Sequence, residues 1–175
     1  GNLIKDGKWL FWDENGILKE EVHFENGKRE GLTVYFSMTG NETAKIIYKD
    51  DLPWSGEWTT WYPDGSKKES GRYEEGQKQS PWSAWYDNGQ KKYVVHYQNS
   101  KKHGLYTEWN KEGRLTKDID YDMGIPISEY IVEYDGDSYV EINRRNSKLS
   151  GSWIKWYANG KKKEEGVYKY GKKCG

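Results

Sequence analysis

Short stretches of the chain alternate between apolar and polar positions. Val22 and Phe24 are interleaved with Glu21 and His23, Ile119 and Tyr121 with Asp118 and Asp120, and Val95 and Tyr97 enclose His96. A period of two is that of a β-strand with one packed and one wet face. Each stretch follows a segment rich in aromatic residues, such as Trp82-Ser83-Ala84-Trp85-Tyr86, which also suits a strand. Between the two lies turn chemistry of the form Asp87-Asn88-Gly89, with the glycine placed for a left-handed conformation. The pattern therefore predicts β-hairpins, and no segment predicts a helix.

The hairpin recurs along the whole chain. Units begin at Gly7, Gly31, Gly56, Ser80, Gly104, Ser128 and Gly151. The period is about 24 residues, in the range that marks a repeat architecture. Two residues into the unit stands an aromatic ring: Trp9, Trp58, Trp82, Tyr106, Tyr130 and Trp153, with Thr33 the exception. Five residues in stands a second: Trp12, Phe36, Trp61, Trp85, Trp109 and Trp156. The unit 128–150 is degenerate, with Glu133, Asp137 and Arg145 at the later marks. Fourteen such strands, spaced about 4.8 Å apart, predict an elongated, twisted, open-ended antiparallel sheet of roughly 65 Å. Residues 1–6 read as a lead-in and 7–175 as a single repeat domain. A lone hairpin is marginal in water, so the units must bury one another's rings. The two aromatic columns differ in parity along the strand and must face opposite sides of the sheet. One of them therefore lies on the wetter face, and which one depends on the turn type.

Composition fits this picture. Leu, Ile, Val and Phe supply only 28 residues, whereas there are 10 Trp and 15 Tyr, so the core must be aromatic. The 28 basic and 28 acidic residues cancel, which gives no case for a nucleic-acid binder. The single Cys174 excludes an internal disulfide and a cysteine-based zinc site within one chain. No apolar run is long enough to span a membrane as a helix. Gly1 in place of Met is read as the trace of a removed segment, so the location stays open between the cytoplasm and the cell surface or exterior.

No catalytic constellation stands out, and no cofactor or metal is expected. His23 and His96 fall three units apart and cannot share a site. The candidates for binding are Trp61, Trp85, Trp109 and Trp156 of the second column, which would form a ladder for a partner protein, a peptide or a sugar if exposed. The segment 144–175 carries ten basic and two acidic residues. Lys161, Lys162 and Lys163, with Lys172 and Lys173, would make a basic docking end for an acidic partner or an anionic lipid. The competing readings are packing for the rings and edge protection for the lysines. A monomer is expected, with association of acidic and basic ends as the alternative.

Gly151-Ser-Trp-Ile-Lys-Trp-Tyr-Ala-Asn-Gly160 and Gly56-Glu-Trp-Thr-Thr-Trp-Tyr-Pro-Asp-Gly65 resemble the bacterial variant of the MORN repeat, often named the YwqK-type antitoxin repeat. The resemblance covers nearly the whole of 7–175. It implies a hairpin-repeat fold and a non-enzymatic binding role, as an antitoxin or immunity partner that occludes a toxin. It also admits a secreted or surface-attached adhesin or scaffold that binds carbohydrate, lipid headgroups or a host protein.

Overall fold

A computed structural model of the chain describes residues 4–145, 151–169 and 172–174, with side chains at all of these except 80, 172 and 173. It is all-β and antiparallel, with fifteen strands among the described residues. Two compact units divide it at Gly89/Gln90. The first contains β1 (Gly7–Trp12), β2 (Leu18–Glu25), β3 (Lys28–Phe36), β4 (Glu42–Lys49), β5 (Leu52–Trp61), β6 (Lys67–Glu74) and β7 (Gln77–Trp85). The second contains β8 (Lys91–Gln98), β9 (Lys101–Trp109), β10 (Leu115–Asp122), β11 (Ile125–Asp135), β12 (Ser138–Arg145), β13 (Gly151–Trp156), β14 (Lys162–Lys169) and β15 (Lys172–Cys174). Within each unit the strands lie in chain order. The sheet is not closed: among the described residues β1 pairs only with β2, and β15 only with β14. The hairpin array expected from the repeat is the observed fold, with β15 as a fifteenth strand beyond the fourteen counted from sequence.

Two kinds of turn alternate. The turns Asp13–Gly16, Tyr62–Gly65 and Tyr157–Gly160 each close with the glycine N–H donating to the carbonyl three residues before it, at 2.9–3.0 Å. Their glycines have φ near +80°, a left-handed conformation that a Cβ disfavours. Inside the sixth unit Asp135 and Ser138 flank a two-residue turn with only Gly136 at positive φ, whereas the turns between units have both central residues there: Asn26-Gly27, Asp50-Asp51, Glu75-Gly76, Asn99-Ser100 and Met123-Gly124. That is the turn whose twist matches the flanking strands. These turns also join repeat to repeat. Gly27, Gly76 and Gly124 donate their amides to the carbonyls of Lys5, Trp54 and Lys102 at 2.7–2.8 Å, and Asp51 donates to Arg29 at 3.1 Å. Each of these bonds reaches back across a whole hairpin, so consecutive hairpins are linked at their turns as well as through the strand ladders.

Cross-strand partners share a face of the sheet. Trp9 is paired with Val22, Thr33 with both Val22 and Ile46, Trp58 with Gly71, and Tyr106 with both Val95 and Ile119. The first aromatic column and the alternating apolar positions therefore build one packed face. Val22 and Thr33 are 0% exposed, Ile46 and Trp82 1%, and Trp153 6%. Among the described residues no second layer covers this face within either unit, so rings lie along the sheet and cover its backbone. Gly71 and Gly166 mark where they do so. A Cβ on Gly71 would fall inside the ring of Trp82, and one on Gly166 would meet the Trp153 indole at 2.7 Å.

The degenerate unit is a correction to the sequence reading. Ile119 is partnered by Glu129, not by Tyr130, and Asp118 by Tyr130. The unit therefore starts at Glu129, one residue later than the mark at Ser128. A shift of one residue turns every side chain to the other face. Ile131 takes the place of the first-column ring, and Tyr134 takes that of the second. Tyr130, assigned from sequence to the packed column, stands on the opposite face.

With this start, a longer repeat of three hairpins emerges between 7–62 and 80–135. It carries Val22-His23-Phe24 onto Val95-His96-Tyr97, Gly31-Leu32 onto Gly104-Leu105, and Pro53 and Ser55 onto Pro126 and Ser128. The bulges follow it: Val22↔Thr33 and Phe24↔Arg29 are repeated as Val95↔Tyr106 and Tyr97↔Lys102. Ile46↔Gly56 and Tyr48↔Pro53 are repeated as Ile119↔Glu129 and Tyr121↔Pro126.

Gly71→Ala is expected to lower the unfolding free energy by about 3 kcal/mol, because the methyl must displace a buried indole. Gly65→Ala, where only the backbone conformation resists, is expected to cost about 1 kcal/mol. Urea denaturation of the two variants checks the order.

Candidate functional site

The two faces offer different chemistry. On the packed face, cations lie over the aromatic rows. Lys5 Nζ is 4.8–5.3 Å from the ring centres of Trp9, Phe11 and Phe24. Lys78 Nζ is 3.7 Å from that of Trp82, and Lys102 Nζ is 4.6 and 4.9 Å from those of Tyr106 and Tyr121. Arg29 lies 5.5 Å from the Tyr48 ring. Each cation stands two residues before its unit, at 5, 29, 78 and 102. In the third unit Trp54 takes that place, and Lys49 lies 4.6 Å above it. A cation over a ring face gains from the ring quadrupole while its stem covers apolar surface. The Lys-Arg and Lys-Lys pairs after the turns signal these residues in the sequence, where they read only as turn chemistry.

Polar groups on this face are joined in networks. Arg29 donates to Glu20 at 2.8 Å and to the Tyr35 hydroxyl at 3.2 Å, and the Tyr35 and Tyr48 hydroxyls are 2.6 Å apart. Burial, reinforced by the bond to Tyr35, holds the Tyr48 phenol far above its ordinary value. In the second unit Glu108 takes the place of Tyr35 in the longer repeat and joins a network with different partners. It accepts from Tyr106 at 2.6 Å and from Lys117 at 2.9 Å. Burial alone would raise the Glu108 carboxyl, but the bonds from Tyr106 and Lys117 outweigh it and the group is lowered. Tyr106 is raised, first by burial and then by its bond to Glu108.

The opposite face carries the second aromatic column. Trp61, Trp85 and Trp156 close their strands, as does Trp109, and all four are half-buried. Trp12, on the open edge strand, is 56% exposed. Register shifts occur beside Trp12, Phe36, Trp61 and Trp156, and such bulges re-aim side chains at strand ends. In the first unit Tyr62 donates to the Trp85 carbonyl at 2.8 Å, joining neighbouring hairpins below the rings. In the second unit Tyr139 stacks on Trp156, with centres 5.9 Å apart and planes at 21°, and packs against Tyr134 at 5.8 Å. Tyr134 donates to the Leu115 carbonyl at 3.1 Å, and Leu115 is the cross-strand partner of Trp109. Sequence reading missed Tyr134 because the unit was started one residue early.

The basic residues are only partly a free patch. Lys161 is exposed in a turn, with its amide on the Asn159 side chain at 3.0 Å. Lys162 is the cross-strand partner of Trp156 and pairs with Glu165 at 2.8 Å. Lys163 lies 5.2 Å from the Tyr157 ring centre. The side chains of Lys172 and Lys173 lie outside the described residues. His96 Nδ1 is 3.0 Å from the Leu105 carbonyl and His103 Nδ1 is 3.4 Å from Asp122. His23 is exposed. Among the described residues no three His, Cys, Asp or Glu side chains converge as metal ligands would.

An open sheet of stacked hairpins, with the more closely packed rings on one face and a second column of half-buried rings on the other, defines a repeat protein built to present surface. The MORN repeat variant family matches residues 5–26, 54–75, 78–99 and 149–170, half of the chain, and the chain belongs to that family. No curated protein matches the chain. Repeats of this family are commonly binding modules rather than catalysts, which fits a non-enzymatic binding role.

Two outcomes are expected. Lys78→Met keeps the stem and removes the charge over Trp82, and should cost roughly 1 kcal/mol of stability in urea titration. Above pH 10 the fold should weaken. A phenol whose folded pKa is raised contributes stability fully below its unfolded value of 10.0, and that contribution is lost as pH rises through the folded value. For Tyr130, burial and then the bond to Glu141 push that value up to about 12. The melting temperature, followed from pH 9.0 upward, should fall across this window, and Tyr48→Phe combined with Tyr130→Phe should flatten the fall.

Proposed function

We propose that this chain is a protein-binding repeat module of the antitoxin or immunity type, which occludes a partner toxin through its less packed face. The observation that supports this reading is the column of Trp61 and Trp85 in the first unit and Trp109 and Trp156 in the second. These residues stand at strand ends and are half-buried; the Trp156 ring is stacked on Tyr139 of the neighbouring hairpin, and the Trp85 carbonyl is held by Tyr62. Large, pre-positioned aromatic side chains lose little entropy on binding and dominate interface energies. Around them lie exposed charges, among them Lys67 and Lys161, which can set partner choice and association rate. A toxin's active surface need only be covered, so no catalytic group is required of the inhibitor.

The test is affinity capture from lysate and secreted fraction of the source cells at low and high salt, followed by binding measurements with the purified partner. One stoichiometric protein retained at high salt is expected. Trp61→Ala with Trp85→Ala should weaken its binding by at least about tenfold, whereas Lys91→Ala should leave it unchanged. Recovery of only weak, salt-sensitive proteins, or affinity indifferent to the tryptophans, would overturn the reading.

A further inference from the structure

The wetter face of the second unit carries a groove of about 550 Å³ running across β9 to β13. Register arranges its lining in two rows. Asp118, Tyr130 and Asn143 are successive cross-strand partners, as are Asp120, Ser128 and Arg145. Leu105, the partner of Asp120, extends the second row, and Ser152, 3.4 Å from the Asn143 amide, extends the first. At about 4.8 Å per strand, Asp120 and Arg145 stand on opposite walls roughly 10 Å apart.

Of the five charged residues that line this groove, Glu129 and Arg144 pair with each other at 3.8 Å; the other three are Asp118, Asp120 and Arg145. Asp118 accepts a hydroxyl bond from Thr107 at 3.3 Å. Among the described residues neither it nor Asp120 has an ion-pair partner, and Arg145 has none either. Two like charges at alternate positions of one strand repel, and nothing beside them compensates. The groove on the same face of the first unit differs. Its Arg72 lies 3.9 Å from Glu57 and 3.4 Å from Glu74, so each of its charged side chains has an ion-pair partner.

We propose that the groove of the second unit binds a neutral sugar. Asp118 and Asp120 only accept hydrogen bonds, Arg145 only donates, and Ser128, Ser152 and Asn143 do both. A cation would call for acceptors alone and an anion for donors alone. Sugar hydroxyls donate and accept at each carbon, and the C–H face of a pyranose suits the Tyr130 ring and the 52% exposed Leu105. The volume falls within the range of roughly 300–1,000 Å³ typical of small-ligand sites. The sugar site goes beyond the protein-binding reading and does not depend on it, since it uses none of Trp61, Trp85, Trp109 or Trp156.

Saturation-transfer NMR and calorimetry with soluble tetrasaccharides of glucose, galactose, mannose and N-acetylglucosamine provide the test, on the full chain. At least one should bind saturably. Asp120→Asn and Arg145→Gln should each weaken it by about tenfold, with circular dichroism and melting temperature confirming that both variants fold. Glu57→Gln, in the groove of the first unit, should change nothing. The proposal is overturned if none of the four sugars binds at millimolar concentration. It is equally overturned if binding survives both variants, or if argininamide binds in the groove and the sugars do not, which would mark a plain cation site.

Discussion

Each unit is a sheet without a second layer, and that constraint governs everything else in the structure. A sheet normally buries one face against a helix or another sheet. Here the strands among the described residues pack chiefly on their neighbours in the sheet, so a core must be made from side chains long enough to cover the backbone beside them. Trp and Tyr do this. The indoles of Trp82 and Trp153 lie over Gly71 and Gly166, where any side chain would lift them off. The lysines that precede the units close the rows from above. The tyrosine hydroxyls need partners once buried, and the network of Tyr35, Tyr48, Arg29 and Glu20 provides them. An aliphatic core of the same length could not satisfy this geometry, which is why Leu, Ile, Val and Phe are so few.

The same constraint separates structure from recognition. One aromatic column is consumed by packing. The other stands where strands end in bulges and covers only a narrow band, including Val34 and Val132, each 6% exposed. Its rings are braced without being sealed. The rest of that face is free to vary, because the hydrogen-bond ladders and the opposite face already hold the sheet. Leu32 beside Ile47, Arg72 between two glutamates, and Asp118 with Asp120 occupy comparable places in the second, third and fifth hairpins. Their chemistry has nothing in common.

Much of this was legible in the sequence. The period, the two turns, the packed parity and the separation of the Trp columns follow from spacing and alternation, because each hairpin makes the same local choices. What escaped was register. Ser128 imitates the Gly or Ser that opens a unit, and Tyr130 imitates the ring two places on, so the sixth unit was read one residue early. Only the pairing of Ile119 with Glu129 reveals the slip. The cations over the rings escaped for a related reason. In one dimension they follow a turn, and only the bulge that comes after it brings them back above the aromatic rows. The groove was illegible because its walls come from five strands, and its distinguishing property is that Asp118, Asp120 and Arg145 have no ion-pair partner among the described residues.

The family match itself bears the mark of this division of labour. It falls on 5–26, 54–75, 78–99 and 149–170, the four units in which both columns carry Trp, and passes over 27–53 and 100–148. Those intervening hairpins have Thr33 with Phe36, Tyr106 with Trp109, and Ile131 with Tyr134, and all remain antiparallel hairpins, although the sixth pairs without a register shift around a two-residue turn at Gly136-Asp137. The fold therefore requires bulk and parity at these positions, not indoles. Where the indole is given up on the packed face, polar networks enter, around Tyr35 in one case and Glu108 in the other. The hairpins that depart furthest from the repeat are thus those with most freedom to carry chemistry, and the uncompensated charges of Asp118 and Asp120 arise in one of them.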